Sequence, residues 1–248
     1  MNYSVLTTSD KSYFPHLKIL INSILDKCDL KKLKNIYIID NGLDDEQKNY
    51  FLNKTDKIIV HTTGLKTNFK GGTWGEDWQI NVKSKTVHLH NMISHLEEPL
   101  LLLDADMLIL KDLNSLLEKG GDIQVCLRDG HPPGTPHPIP YIGSYFFSIN
   151  HKKALPFVWD WMNLTQSKTG KGAHESPSLT QCVKHYLKTD NINIVSLEQE
   201  LVDRYYPPPT ENTIIVHFKG SRLFDNFDEQ FSAKITNSDW YEYVEKYL

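Results

Sequence analysis

Cysteine is scarce and scattered in this chain: Cys28, Cys126 and Cys182, odd in number and with no C-x-x-C pair. That pattern argues against a disulfide framework and against a zinc site, and fits free thiols in a reducing compartment. Long apolar sequence is missing as well. The longest run, from Leu100 to Leu110, is cut by two aspartates and is far shorter than the ~20 residues that span a bilayer. There is no basic excess, since 27 Lys and Arg face 31 Asp and Glu for a formal charge of -4, so nothing marks a nucleic-acid binder. A polyanionic ligand would need positive charge supplied locally. Met1 leads almost directly into the strand-like Tyr3-Ser4-Val5-Leu6, which reads as a first strand and not as a signal peptide. The expectation is a soluble, cytoplasmic protein, in which the sequons at Asn53 and Asn163 carry no weight.

What is present is an ordinary globular composition, 248 residues with 40% hydrophobic and 23% charged side chains, enough for a full core near the upper size of one domain. The first half alternates between β and α patterns. Strands are expected over 3–8, 35–39, 57–61 and 100–103, and helices over 17–25, 46–52 and 82–96. Leu100 to Leu103 is a run of four leucines, as in a central strand covered on both faces. Such alternation implies a largely parallel sheet with right-handed crossovers. The second half is less regular, with strands expected over 123–127, 144–149, 192–195 and 213–216 and helices over 152–162 and 178–187. Loops rich in Gly, Trp, His and Pro cover 62–78 and 129–140, the latter with five prolines. No repeat, low-complexity tract or linker appears, so the chain reads as one α/β domain.

The most informative segment is Leu103-Asp104-Ala105-Asp106-Met107. In an extended chain residues i and i+2 share a side, so the two carboxylates would be neighbours. Two carboxylates in apolar sequence are costly unless a positive group meets them. A divalent cation with hard oxygen ligands, Mg²⁺ or Mn²⁺, is the natural partner, and ligands collect at the carboxyl ends of parallel strands. A D-x-D triplet also arises about once by chance in a chain of this size. The bland alternative has one aspartate capping a turn and the other solvated, and the four leucines before the triplet weigh against it.

A hydrophobic strand ending in D-A-D and followed by a second apolar run resembles the glycosyltransferases of the glycogenin and lipopolysaccharide galactosyltransferase type, which adopt the single-domain GT-A fold. Three further segments extend the resemblance along most of the chain. Val5-Leu6-Thr7-Thr8-Ser9-Asp10 resembles the family's first strand and loop, which implies that Thr7, Thr8 and Asp10 hold the nucleoside. Ser144-Tyr145-Phe146-Phe147-Ser148-Ile149-Asn150 resembles its N-S-G strand, although Gly143-Ser144-Tyr145 departs from that motif. Val216-His217-Phe218-Lys219-Gly220 resembles its C-terminal H-x-x-G motif.

What the resemblance implies is specific. The metal ligands are Asp104, Asp106 and His217, and imidazole among them favours Mn²⁺ over Mg²⁺. Ala105 lies beside the donor between the two aspartates. Lys219 reaches the leaving diphosphate, Gly220 allows a close backbone approach, and Arg222 stands where the motif usually has a second lysine. Glu175, in a segment that lines the sugar site in relatives, contacts the transferred sugar or stabilises its developing charge, with a helix-dipole carboxylate as an equal alternative. Lys85 falls where relatives place a basic residue near the donor, with a solvated helix lysine equally open. Trp74 and Trp78 read as acceptor or lid residues, or as core packing. The donor half is expected over 1–106 and the acceptor half over 107–248.

The implied function is metal-dependent transfer of a hexose, from a UDP-sugar by default, to a glycan, glycolipid or protein hydroxyl, with retention of configuration. An inverting reaction with Glu175 as general base stays open. So do a haloacid-dehalogenase-like phosphatase built on the D-x-D and a non-catalytic nucleotide-sugar-binding protein. Trp240-Tyr241-x-Tyr243 near the C-terminus packs on the core or against a second subunit.

Overall fold

The computed structural model describes residues 1–67, 75–128, 138–170, 174–204, 208–218 and 242–248. The expected loop segments 68–74 and 129–137, and the site candidates Lys219, Gly220 and Arg222, lie outside these, as does Trp74.

Among the described residues the core is a seven-stranded sheet. Its strands are β1 (Tyr3–Ser9), β2 (Leu33–Asp40), β3 (Ile58–Thr62), β4 (Leu100–Leu103), β6 (Ile123–Leu127), β7 (Tyr141–Ser148) and β8 (Ile194–Glu198), in the spatial order β3-β2-β1-β4-β7-β6-β8. A second, two-stranded sheet joins β5 (Met107–Ile109) to β9 (Ile215–His217). The α/β expectation holds, and the sheet is largely parallel. Only β7 runs against its neighbours, pairing antiparallel with both β4 and β6. β7 is buried along its whole length, and its residues carry no information on its direction.

Helices cover both faces of the sheet. On one side α1 (Phe14–Lys27) and α2 (Asp45–Leu52) pack Leu17, Leu20, Ile21, Ile24 and Phe51 against Val5, Ile36, Ile38 and Leu101. On the other, α3 (Glu76–Leu96), α5 (His151–Ser167) and α6 (Glu175–Tyr186) pack Leu89, Ile93, Phe157, Trp161 and Leu179 against Leu6, Leu100, Leu102 and Phe146. The four leucines of β4 are fully buried because the strand lies between β1 and β7 with helices above and below. Two short helices, α4 (Asn114–Leu117) and α7 (Gln199–Val202), and two 3-10 turns, Lys11–Tyr13 and Glu245–Tyr247, are also present among the described residues.

Several boundaries differ from the periodicity, for local reasons. The third helix begins at Glu76 and not at 82, since Glu76 and Asp77 favour the positive end of a helix although the first turn has no apolar stripe. It stops where Glu97 adopts a left-handed φ of 49° ahead of Pro99. Likewise α6 starts at Glu175, three residues before the expected 178, because Pro177 is tolerated in a first helical turn. Trp78, expected in a loop, therefore lies on α3. The second helix opens with a capping box between Asp44 and Gln47.

Candidate active site

The site forms where β4 ends. Asp104 leaves the strand and Ala105 and Asp106 make a turn into β5, which belongs to the other sheet. The carboxylates are thus brought together by a tight turn between two sheets, a correction to the extended-chain geometry expected from the i, i+2 spacing. The turn is pinned where Asp104 N–H donates to Ser144 O at 3.2 Å and Phe218 N–H to Asp106 O at 2.9 Å. The antiparallel register of the small sheet then sets Met107 opposite His217. That single pairing carries the imidazole from the far end of the chain to the aspartate turn.

One ligand atom each from Asp104, Asp106 and His217 lies within 4.8 Å of the others. Nε2 of His217 is 3.2 Å from Asp106 Oδ1 and 3.9 Å from Asp104 Oδ2. Asp106 and His217 are buried, and Asp104 keeps part of its side chain in solvent. Two carboxylate oxygens and an imidazole nitrogen facing one point fit a divalent cation of the Mn²⁺ or Mg²⁺ type. The pKa of Asp104 is raised by burial, with Asp106 and Glu175 adding to the effect and Lys85 and His217 opposing it. A carboxylate held in that state gains from a cation.

Lys85 and Glu175 join the same cluster. The Lys85 ammonium, buried on α3, donates to Asp104 Oδ1 at 2.6 Å and to Glu175 Oε1 at 3.1 Å. Burial opposes its charge, but the two carboxylates outweigh that and hold its pKa above the ordinary lysine value. It is no solvated helix lysine. Glu175 is the first residue of α6, and its carbonyl accepts from Trp161 Nε1 at 2.9 Å. Its Oε2 is buried without a hydrogen-bond partner, and His174 Nδ1 stands 4.0 Å away. A side chain at Gly143 would put its Cβ 2.1 Å from Glu175 Cγ, so the glycine of β7 makes the space that the glutamate fills. The Trp78 ring lies 5.9 Å from that of His174, beside this end of the cluster.

The first-strand candidates sit at the carboxyl end of β1, beside β4. Thr7 is fully buried with its hydroxyl unpartnered, and Thr8 is partly exposed. The carboxylate of Asp10 turns inward. It accepts from the Ser12 and Tyr13 amides and the Ser12 hydroxyl, and its second oxygen accepts from Asn81 Nδ2 at 3.1 Å. Asp10 therefore shapes the loop after β1. Burial and the charges of Asp106, Asp10 and Asp104 raise the pKa of Tyr13 well above its usual value, which puts its hydroxyl in the field of the site.

Sequence reasoning missed Asp203. It is wholly buried, and its Oδ1 lies 2.5 Å from His217 Nδ1. The available signal was an acidic residue closing the apolar pair Leu201-Val202, one helical turn after Gln199.

No protein-family profile matches the chain, and no curated protein sequence matches it. Solved structures do. The galactosyltransferase LgtC, in complex with donor and acceptor sugar analogs, superposes with a TM-score of 0.59 at 12% identity over 99% of this chain and 100% of LgtC. Mouse xyloside xylosyltransferase 1 gives 0.56 at 12% identity, over 88% of this chain and 97% of the mouse protein. The bifunctional glycosyltransferase WbbM gives 0.59 at 13% identity over 99% of this chain, which spans only 51% of WbbM. The architecture expected from the D-A-D and H-x-x-G segments is therefore present, and the chain has the GT-A glycosyltransferase fold.

Proposed function

We propose that this chain is a metal-dependent glycosyltransferase that moves a hexose from a nucleotide-diphosphate sugar, UDP-linked by default, to the hydroxyl of a glycan, glycolipid or protein. The observation that carries this reading is the convergence of Asp104, Asp106 and His217 on one point, next to a Lys85–Glu175 pair, in a fold shared with glycosyltransferases. Asp104, Asp106 and His217 would hold the cation, Mn²⁺ before Mg²⁺ because imidazole is the softer ligand. When bound, the ion supplies the positive charge that offsets the departing diphosphate.

The chain's own residues do the rest. Thr7, Thr8 and the loop shaped by Asp10 take the nucleoside, with Ala105 beside it. Lys219, Gly220 and Arg222 take the diphosphate. Glu175 presents Oε2 to the transferred sugar and stabilises the positive charge that grows on its ring, while Lys85 holds that side chain and Asp104 in place by donating to both. The acceptor hydroxyl attacks as the bond to the diphosphate loosens, with retention of configuration. Residues 1–106 form the donor half and 107–248 the acceptor half, which also lends Glu175, His217, Lys219, Gly220 and Arg222 to the donor. Among the described residues Cys28, Cys126 and Cys182 are buried and none is in a disulfide, which supports action in a reducing cytoplasm, and no helix is long and apolar enough to cross a membrane.

The test is a panel of nucleotide sugars assayed by thermal shift and slow hydrolysis, with and without Mn²⁺, on the native chain and on Asp106→Ala. Stabilisation and turnover that need both Mn²⁺ and Asp106 support the reading. A nucleotide sugar bound equally well in chelator and by the variant ends it.

A further inference from the structure

His217 meets the aspartate turn with one ring nitrogen only. Nε2 faces Asp106 and Asp104, while Nδ1 points the other way, to Asp203. A carboxylate wholly shut off from water must find compensation, and Asp203 does so with donors from two other places. Ser144 Oγ donates to its Oδ1 at 2.8 Å, and Gln199 Nε2 donates to its Oδ2 at 3.0 Å. Ser144 is also the residue whose carbonyl accepts the Asp104 N–H, so one side chain and its backbone touch both arms of the cluster. The backbone next to Asp203 is clamped to β9 as well: Arg204 N–H donates to Ile215 O at 3.2 Å, and His217 N–H donates to Arg204 O at 2.7 Å.

We propose that Asp203 is a positioning residue that accepts the Nδ1–H of His217 and so holds the ring in the tautomer whose Nε2 lone pair faces Asp104 and Asp106. The inference rests on reading that cluster as a cation site. A neutral imidazole has one N–H and one lone pair, and an ionised carboxylate can only accept. Asp203 stands 2.5 Å from Nδ1 and Asp106 3.2 Å from Nε2, so the closer carboxylate takes the N–H at Nδ1 and leaves Nε2 as the donor to a metal, and the carboxylate behind the ring makes that nitrogen more basic. An asparagine of the same shape can donate through its amide instead, which lets the proton move to Nε2 and block the lone pair.

The experiment uses the full chain in two measurements. Two-bond ¹H–¹⁵N spectra, recorded on the alkaline side of the ring's titration, report which nitrogen of His217 carries the proton. Mn²⁺ titration by paramagnetic resonance, with no nucleotide sugar present, reports the affinity. The expected result is a proton on Nδ1 in the native chain, its transfer to Nε2 in Asp203→Asn, and a fall in Mn²⁺ affinity of about 10–100-fold in that variant with unchanged circular dichroism. A native proton on Nε2 overturns the proposal, as does Asp203→Asn binding Mn²⁺ natively while His217→Ala does not. The native spectrum decides even if Asp203→Asn fails to fold. A native chain that takes up no Mn²⁺ would sink the proposed function, and the ring proton would still decide the part played by Asp203.

Discussion

The ammonium of Lys85 sits 2.6 Å from the carboxylate of Asp104 and shares its other side with Glu175. Three elements distant in sequence, α3, the end of β4 and the start of α6, meet in this ion triad. Each charge is tolerable only because the others are there, since a buried ion that loses its partner costs far more than the pair contributes.

Replacing Lys85 by methionine should therefore cost about 3–5 kcal/mol of folding stability by leaving two carboxylates uncompensated. Adding Glu175→Gln should recover part of that loss, and urea unfolding in chelator measures both. The sign with pH follows from the raised pKa of Lys85. Its contribution is fully present below the ordinary lysine value of about 10.4 and is lost as pH rises through its folded value. The native chain should show this alkaline loss and Lys85→Met should lack it.

Asp104 gives an opposite kind of effect at acid pH. Its pKa is raised in the folded state, so the folded chain holds its proton in a window opening near the ordinary Asp value of about 3.9. Stability from this group falls as pH rises through that window. In chelator, Asp104→Asn should thus gain on the native chain as pH climbs above about 4, as thermal unfolding across a pH series would show. Saturating Mn²⁺ should stabilise the native chain and leave the variant unmoved.

Removing a ligand atom should silence the chemistry without unfolding the protein. Asp106→Ala and His217→Ala are each expected to abolish measurable Mn²⁺ uptake and to reduce nucleotide-sugar hydrolysis by about 100-fold or more. Calorimetric titration and a coupled diphosphate-release assay check the two effects separately.

Gly143→Ala tests the space beneath Glu175. The new Cβ would stand 2.1 Å from Glu175 Cγ, so the glutamate must move away from Lys85 at a cost of about 1–3 kcal/mol. The expected signature is a fall in kcat resembling that of Glu175→Gln, with native Mn²⁺ affinity. Full activity in Gly143→Ala would show that the position of Glu175 does not matter.

Much of the fold was legible because burial writes itself into local periodicity. The four leucines of β4, the stripe of α1 and the apolar runs of β1 and β2 each record a face turned to the core. Helix starts were harder, since Glu76 and Glu175 open their helices by electrostatics and not by apolar spacing. The direction of β7 left no trace at all in its residues.

The amino-acid order by itself determined the chemistry on offer: a carboxylate pair at the end of a core strand, and a histidine closing a β-branched run. Which groups meet was decided only by the tertiary structure. The pairing of β5 with β9 sets His217 against the aspartate turn, the burial of α3 turns Lys85 inward, and Asp203 becomes the backing of an imidazole. The physical reason is that a charge in a low-dielectric interior is governed by its neighbours in space, and chain order does not record those neighbours.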